Sequence, residues 1–343
     1  MIKDLLQEGY ILKTKGFYKH AIESFYKALE HDNNSSELLL EIAESYYLMK
    51  DEERALNYIE QILEKDPTHV DGLKLLKQIF VSKSAWSEAE QTAKNIYFIS
   101  KNDEDLAKIF ELLNQQGKYA EIFEYNVENF SENALYEKAY AKMFLGETDE
   151  ALLYINKALE NSSKDKFLLL KGKILYKMNR KEDCFEILDK IAFDENNAEL
   201  MNFSGLVYQY KEDYKKAIEY FKIAIKTEPQ KDEYYYNCAS TYFKMGDIQQ
   251  AKFYYNRAIS LAPENQNYHF ALANLYYSEK HYKRALEELN YDFWEARLLK
   301  SIILYDSGYL SLARLELEKL SKEQPENELV KKYQEKIKEE LGI

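Results

Sequence analysis

Apolar residues recur along the chain at the spacing of one helical face, and the clearest arrangement returns after 34 residues. Segment 236–263 carries Ala251, Tyr255 and Ala258 four and three residues apart, which places them on one side of a helix. A shift of 34 residues superimposes segment 202–229, and the residues that then coincide are Tyr208 with Tyr242, Ala217 with Ala251, Phe221 with Tyr255, Ala224 with Ala258, and Pro229 with Pro263. We therefore expect repeated helix pairs that bury their apolar faces against their neighbours.

Proline and glycine fix the register of this repeat. With Ala217 set as position 20, every proline falls at position 32, where the second helix of a pair must end: Pro67, Pro229, Pro263 and Pro325. The glycines near position 15, the predicted bend between two helices, are Gly16, Gly117, Gly146, Gly246 and Gly308. The glycines at position 8, where a small residue lets two helices approach closely, are Gly9, Gly172 and Gly205. Each repeat is thus predicted to be two helices joined by a short turn.

This pattern resembles the tetratricopeptide repeat, in which small and aromatic residues recur over 34 positions. The residues that match its consensus most fully are Gly205, Tyr208, Ala217, Phe221, Ala224 and Pro229. The repeats are predicted at about 2–35, 36–69, 70–103, 104–131, 132–164, 165–197, 198–231, 232–265, 266–293 and 294–327, with the third, fourth and sixth degenerate. The resemblance implies an all-α fold, a right-handed α-solenoid of about ten helix-turn-helix repeats.

Charge and repeat length predict a division of the chain. Of the net charge of −13, residues 1–150 carry 17 basic and 29 acidic side chains, so the N-terminal part is the acidic one. The fourth and ninth repeats are short in their second helices, which predicts a notch or hinge at each. We expect an acidic array over residues 1–131, an aromatic-rich array over 132–327, and an amphipathic capping helix over 328–343 that covers the exposed end of the stack.

Candidate chemistry is sparse, which indicates a protein that is not an enzyme. The histidines are scattered, and the chain has no HExxH, no glycine-rich phosphate loop and no G-x-S-x-G motif, so no cofactor or metal is expected. Cys184 and Cys238 have neither disulfide-framework nor zinc-site spacing and are predicted to be core residues. The negative charge makes nucleic acid a poor partner. No apolar run is long enough to span a membrane, so a cytoplasmic location is expected.

The resemblance implies that positions 2, 5, 6, 9, 12 and 13 of each first helix line an inner wall. At the N-terminal end these positions are acidic and predict a surface for a basic segment: Glu37, Glu41, Glu44, Asp71, Glu104 and Glu111. A solvated helix face explains the same residues and remains the alternative. At the C-terminal end they predict a peptide-binding groove: Asn202, Phe203, Tyr210, Tyr236, Asn237, Phe243, Phe270, Asn274 and Tyr277.

Aromatic rings supply rigid contact area, and side-chain amides pair with both groups of an extended backbone, which favours peptide recognition in this groove. Rings that simply fill packing positions are the alternative for any single residue. The carboxylate clamp of some family members is not matched, since only Asn237 falls on its pattern. The predicted function is therefore a non-catalytic scaffold or adaptor that binds a protein segment. A structural module that forms homo-oligomers is the alternative.

Overall fold

The computed structural model describes residues 2–32, 35–125, 129–160 and 162–342, and within these ranges every regular element is helical, as predicted. The elements are α1 (Ile2–Thr14), α2 (Tyr18–Leu29), α3 (Ser36–Leu48), α4 (Glu52–Lys65), α5 (Val70–Ser82), α6 (Trp86–Ser100), α7 (Asp103–Gln115), the 3₁₀ helix η1 (Tyr119–Glu124), α8 (Glu132–Phe144), α9 (Thr148–Glu160), α10 (Asp165–Lys177), α11 (Lys181–Leu188), α12 (Ala198–Tyr210), α13 (Tyr214–Thr227), α14 (Asp232–Met245), α15 (Ile248–Leu261), α16 (Gln266–Ser278), α17 (Tyr282–Glu288), α18 (Trp294–Asp306), α19 (Leu310–Glu323) and α20 (Glu328–Leu341).

Backbone contacts group the chain into two compact units, unit 1 (Met1–Met178) and unit 2 (Asn179–Ile343). Unit 1 holds α1 to α10, and unit 2 holds α11 to α20. Within each unit, consecutive helices pack against one another and form the repeated pairs that the sequence predicts, apart from the sixth pair, whose helices α10 and α11 fall in different units. The boundary lies in the bend of the sixth predicted repeat, whereas the division at residue 131, drawn from charge and repeat length, stays a prediction.

The residues that superimpose in the sequence repeat form the core. Ala217, Phe221, Ala251 and Tyr255 lie together in one buried cluster of unit 2. In the first and seventh repeats, position 8 needs glycine because of this packing: a Cβ added to Gly205 would lie 2.5 Å from the ring of Phe221, and one added to Gly9 would lie 2.4 Å from the equivalent Phe25. The small residue and the ring therefore fit one another in both units. Cys184 and Cys238 are buried, as predicted.

At the bend between the two helices of each pair, one residue adopts the left-handed backbone conformation. The predicted glycines Gly16, Gly117, Gly146, Gly246 and Gly308 all have positive φ. The same bend in the other five repeats is made by residues with side chains, which the sequence does not single out: Lys50 (φ 66°), Ser84 (φ 56°), Asn179 (φ 57°), Glu212 (φ 60°) and Lys280 (φ 61°). All ten repeats thus share one turn conformation, and glycine marks only half of the positions that need it.

Both short repeats have reduced second helices. In the fourth repeat the six-residue 3₁₀ helix η1 replaces an α-helix, and in the ninth, α17 has only seven residues. A surface cavity of about 480 Å³ adjoins the end of α17 and is lined by Leu289, Tyr291, Arg297 and Lys300 among others. A notch caused by the missing residues stays a prediction. Hinge motion at either place stays a prediction.

The final helix, α20, packs one face against α19, where Val330 and Ile337 are buried. Leu329 and Leu341, which the sequence places on the same stripe, remain exposed at 48% and 39%. The buried apolar face of α20 is therefore narrower than predicted, but it covers the end of unit 2 as a capping helix does. Among the helices described, none is both long and apolar enough to cross a bilayer.

Candidate functional site

Two asparagines of the predicted groove meet across neighbouring helices of unit 2. Asn237 Nδ2 on α14 donates a hydrogen bond of 2.9 Å to Asn202 Oδ1 on α12. Both residues are largely buried, at 8% and 3% exposure, yet Asn202 Nδ2 and Asn237 Oδ1 are not fully shut off from solvent and bond to no described group. Whichever way the two amides are turned, the pair keeps one free donor and one free acceptor.

A polar network continues along the same two helices and was missed by sequence reasoning. Gln209 Nε2 donates to Thr241 Oγ1 at 2.6 Å, and Lys244 Nζ donates to Gln209 Oε1 at 3.0 Å. Thr241 Oγ1 in turn donates to the backbone oxygen of Asn237 at 2.8 Å. Burial and the nearby Lys181 lower the pKa of Lys244. Gln209 and Lys244 occupy positions 12 and 13 of their repeats, so their register was the available signal.

The predicted rings differ in how far they reach the surface. Phe203 is fully buried in the core and therefore offers no ring to a ligand. Tyr236 is half-buried and stacks on Tyr268, with ring centroids 4.9 Å apart and planes inclined by 27°. Burial raises the pKa of the Tyr236 hydroxyl above its usual value. Tyr210 and Phe243 are also half-buried, and Lys181 Nζ lies 5.0 Å from the Tyr210 ring centroid.

The residues predicted on α16 serve other contacts. Asn274 Nδ2 donates to the backbone oxygen of Phe270 in its own helix at 3.0 Å, so it does not extend the Asn202–Asn237 pair. The Phe270 ring packs edge-on against Phe293, 5.4 Å between centroids. Tyr277 donates its hydroxyl hydrogen to Asp306 at 2.6 Å, and burial together with that carboxylate raises the pKa of Tyr277.

The acidic residues predicted in unit 1 are largely occupied by partners from the same unit. Lys13 Nζ on α1 lies 2.6 Å from Glu41 and 2.5 Å from Glu44 on α3. Three more of these carboxylates bind a side chain of the same unit: Asp71 pairs with Lys74 at 3.1 Å, Glu111 pairs with Lys108 at 2.8 Å, and Glu104 accepts a hydrogen bond from Asn133 at 2.8 Å. Burial alone would lower the pKa of Lys13, but hydrogen bonds from its ammonium to the two glutamates raise it. Among the six, only Glu37 projects into solvent without such a bond from a described residue.

Comparison with known proteins identifies the repeat. Residues 132–165, 198–231 and 232–265 each match the tetratricopeptide repeat, and residues 15–79 match a second profile of that repeat. A TPR repeat-containing protein of Methanocaldococcus jannaschii is 24% identical over 274 residues, which cover 73% of this chain and 48% of the relative. The DnaJ protein P58IPK homolog B of Oryza sativa is 24% identical over 59% of this chain and 40% of its own length. The chain thus spans less than half the length of these curated relatives.

Among solved structures, the crystal structure of the APC/C hetero-tetramer Cut9-Hcn1 superimposes with a TM-score of 0.61. The match covers 97% of this chain and 75% of that one at 12% identity. At this identity the likeness establishes the fold, a stack of tetratricopeptide-type helix pairs, and nothing about the ligand.

Proposed function

Since this chain is a tetratricopeptide repeat protein, a class that generally mediates contacts between proteins, we propose that it is a non-catalytic scaffold that binds an extended segment of a partner protein on the α12–α14 face of unit 2. The observation that carries the proposal is the Asn202–Asn237 pair, which keeps one hydrogen-bond donor and one acceptor free beside the half-buried Tyr236.

A peptide unit offers one N–H and one C=O, and in an extended segment these groups point outward, where a side-chain amide pair can reach them. Each such bond stabilises a complex by about 0.5–1.5 kcal/mol net. The half-buried rings of Tyr236, Tyr210 and Phe243 lie on the same two helices as the pair and would add apolar contact. Phe203 is left out of the proposal, because its ring is in the core. Recognition through the main chain would make the surface tolerant of partner sequence.

The experiment is a crosslinking pulldown from the native cell with the full chain and two variants. Asn237→Ala should weaken the captured partner about tenfold, since it removes the free acceptor and leaves Asn202 without its bond. Asn256→Ala is the matched control, because Asn256 is exposed on α15 and bonds only to the backbone of its own helix. Circular dichroism must be unchanged in both variants.

Equal recovery of every partner by the wild type and by Asn237→Ala would refute this surface as the binding site. The competing function is a structural module that assembles with copies of itself. If the chain is such a module, sedimentation should show a concentration-dependent oligomer, and no foreign segment should be crosslinked beside Tyr236.

A further inference from the structure

Two adjoining cavities lie along the first helices of unit 1. One, of about 320 Å³, is lined by residues of α3, α5 and α7 and includes Lys77. The other, of about 280 Å³, is lined by residues of α7, α8 and α10 and includes Glu137. Lys108 and Glu111 line both cavities and are bonded to each other at 2.8 Å, so an internal ion pair separates the two.

Lys77 is a cation without an ion-pair partner among the described residues. It is half-buried in the first cavity, whereas Lys74, one turn away on the same helix, is bonded to Asp71. Burial, and then the nearby Lys108, lower the pKa of Lys77. The nearby carboxylates of Asp105 and Glu111 act in the opposite direction, but neither forms an ion pair with Lys77 in the described structure, so the ammonium lacks both full solvation and a direct ion-pair partner.

Glu137 is the opposite case in the second cavity. Its carboxylate accepts one hydrogen bond, 2.8 Å long, from the neutral amide Nδ2 of Asn114, and no described cation forms an ion pair with it. Of the two lysines in the cavity wall, Lys108 is held by Glu111, and Lys166 Nζ lies over the Tyr136 ring, 5.0 Å from its centroid. Burial raises the pKa of Glu137 to about 7.

The Glu137 cavity also has a spare acceptor. Asn133 donates through Nδ2 to Glu104, which fixes the orientation of its amide, and the Oδ1 atom is then buried without a hydrogen-bond partner in the described structure. Asn114, behind Glu137, is fixed in the same way and likewise has an unpaired Oδ1. A group with several N–H donors and a positive charge matches such surroundings, as in a lysine or arginine side chain.

We propose that this face of unit 1 binds a polypeptide segment that places one basic side chain against Glu137 and one acidic side chain against Lys77. The proposal is independent of the groove in unit 2. It rests on charge complementarity. The acidic residues predicted on α3, α5 and α7 are, except for Glu37, already bonded within the unit. Glu137 and Lys77 carry opposite charges and form no ion pair with a described residue. A segment bearing both signs would satisfy both in one binding event.

The test is selection of random peptides displayed on phage against the immobilised full chain, followed by affinity measurement with synthetic peptides. Wild-type chain should enrich peptides that carry both a basic and an acidic residue. The Glu137→Gln variant should lose only the preference for a basic residue, and the Lys77→Met variant should lose only the preference for an acidic residue. Each variant should bind the best peptide with at least about a tenfold lower affinity than the wild type.

The matched controls remove charges that are already paired. Lys74→Met removes the partner of Asp71, and Glu132→Gln on α8 removes the partner of Lys164, and both should leave peptide affinity within about twofold. Replacing the basic residue of the peptide by norleucine should reproduce the loss caused by Glu137→Gln without altering the protein. Asn237→Ala should keep full affinity, which separates this surface from that of unit 2.

Enrichment of uncharged peptides, or equal affinity for wild type, Glu137→Gln and the norleucine peptide, would overturn the proposal.

Discussion

The largely buried carboxylate of Glu137 should make the free energy of unfolding depend on pH in a definite direction. A glutamate has a pKa near 4.5 when it is exposed, and burial raises that of Glu137 to about 7 in the folded chain. The hydrogen bond from Asn114 lowers this pKa, as do Lys166 and Lys108, and Glu111 raises it, but each of these effects is smaller than the effect of burial. Between these two values the folded state holds a proton that the unfolded state has lost. The free energy of unfolding should therefore fall as pH rises from about 4.5 to about 7.

Replacing Glu137 by glutamine keeps the hydrogen bond from Asn114 and removes the titration. At low pH, where the carboxyl is neutral in both states, the variant and the wild type should be equally stable. Above about pH 7 the variant should be more stable, by at most about 3 kcal/mol, which is the full pKa difference converted at 1.36 kcal/mol for each pH unit. The gain should be smaller than this limit, because Glu137 keeps some contact with solvent.

Glu90 provides a control of opposite sign in the same unit. Burial alone would raise its pKa, but hydrogen bonds from Lys118, Lys94 and Gln116 hold it at about 2. Glu90→Gln should therefore destabilise the fold above about pH 4.5, and the loss should vanish as pH falls towards 2.

The assay is urea unfolding followed by tryptophan fluorescence over a series of pH values. In a Trp294→Phe background the remaining Trp86 reports on unit 1 alone, and the replacement is mild because Trp294 Nε1 is buried without an acceptor in the described structure. Parallel curves for Glu137→Gln and wild type from pH 4.5 to 7, or a gap that narrows as pH rises, would refute the argument.

Two further predictions test the repeat register by urea unfolding. Gly205→Ala should lower the free energy of unfolding by about 1–3 kcal/mol, because the new methyl group would lie 2.5 Å from the ring of Phe221. Gly72→Ala is the control and should be nearly neutral, because the nearest atom to its new methyl group would be 3.3 Å away. Equal effects of the two substitutions would contradict the packing described. Glu212→Gly should raise the free energy of unfolding by about 1 kcal/mol, because φ at this bend is 60°, a conformation that favours glycine. Glu219→Gly is the control and should lower the free energy of unfolding by about the same amount, because glycine is unfavourable inside the helix α13. A loss of stability at both sites would rule out strain at the bend.

The sequence predicts the helix pairs and their core well, because the residues that repeat are those that packing restricts most. It predicts the bends only where glycine stands. Lys50, Ser84 and Glu212 adopt the same left-handed conformation at a cost of about 1–2 kcal/mol each, which the packing of the two flanking helices overcomes. The preference of these three residues for a right-handed backbone is small compared with the packing of the flanking helices. The sequence at these positions therefore does not reveal the left-handed bend.

The candidate site was predictable in position and not in detail. The repeat register places Asn202 and Asn237 on successive first helices, but their mutual hydrogen bond depends on how closely α12 and α14 approach, which the register does not state. Phe203 follows Asn202 directly and lies about 100° further round the helix, which takes its ring into the core. Gln209 was missed because its partner Thr241 lies on a different helix, in the next repeat.

The shortened fourth repeat shows how an irregularity can shape the neighbouring surface. Where a second helix is reduced to η1, the aromatic side chains of Phe110, Phe123 and Phe130 fill the space and surround Lys138 Nζ, which lies 3.7 Å from the Phe130 ring centroid. Lys138 is 5% exposed, so its ammonium is held mainly by ring faces, an interaction that strengthens when solvent is excluded. This contact fixes α8 against the shortened repeat. Because Glu137 is the preceding residue on the same helix, the packing that compensates for the lost turns also sets the position of the carboxylate in its cavity.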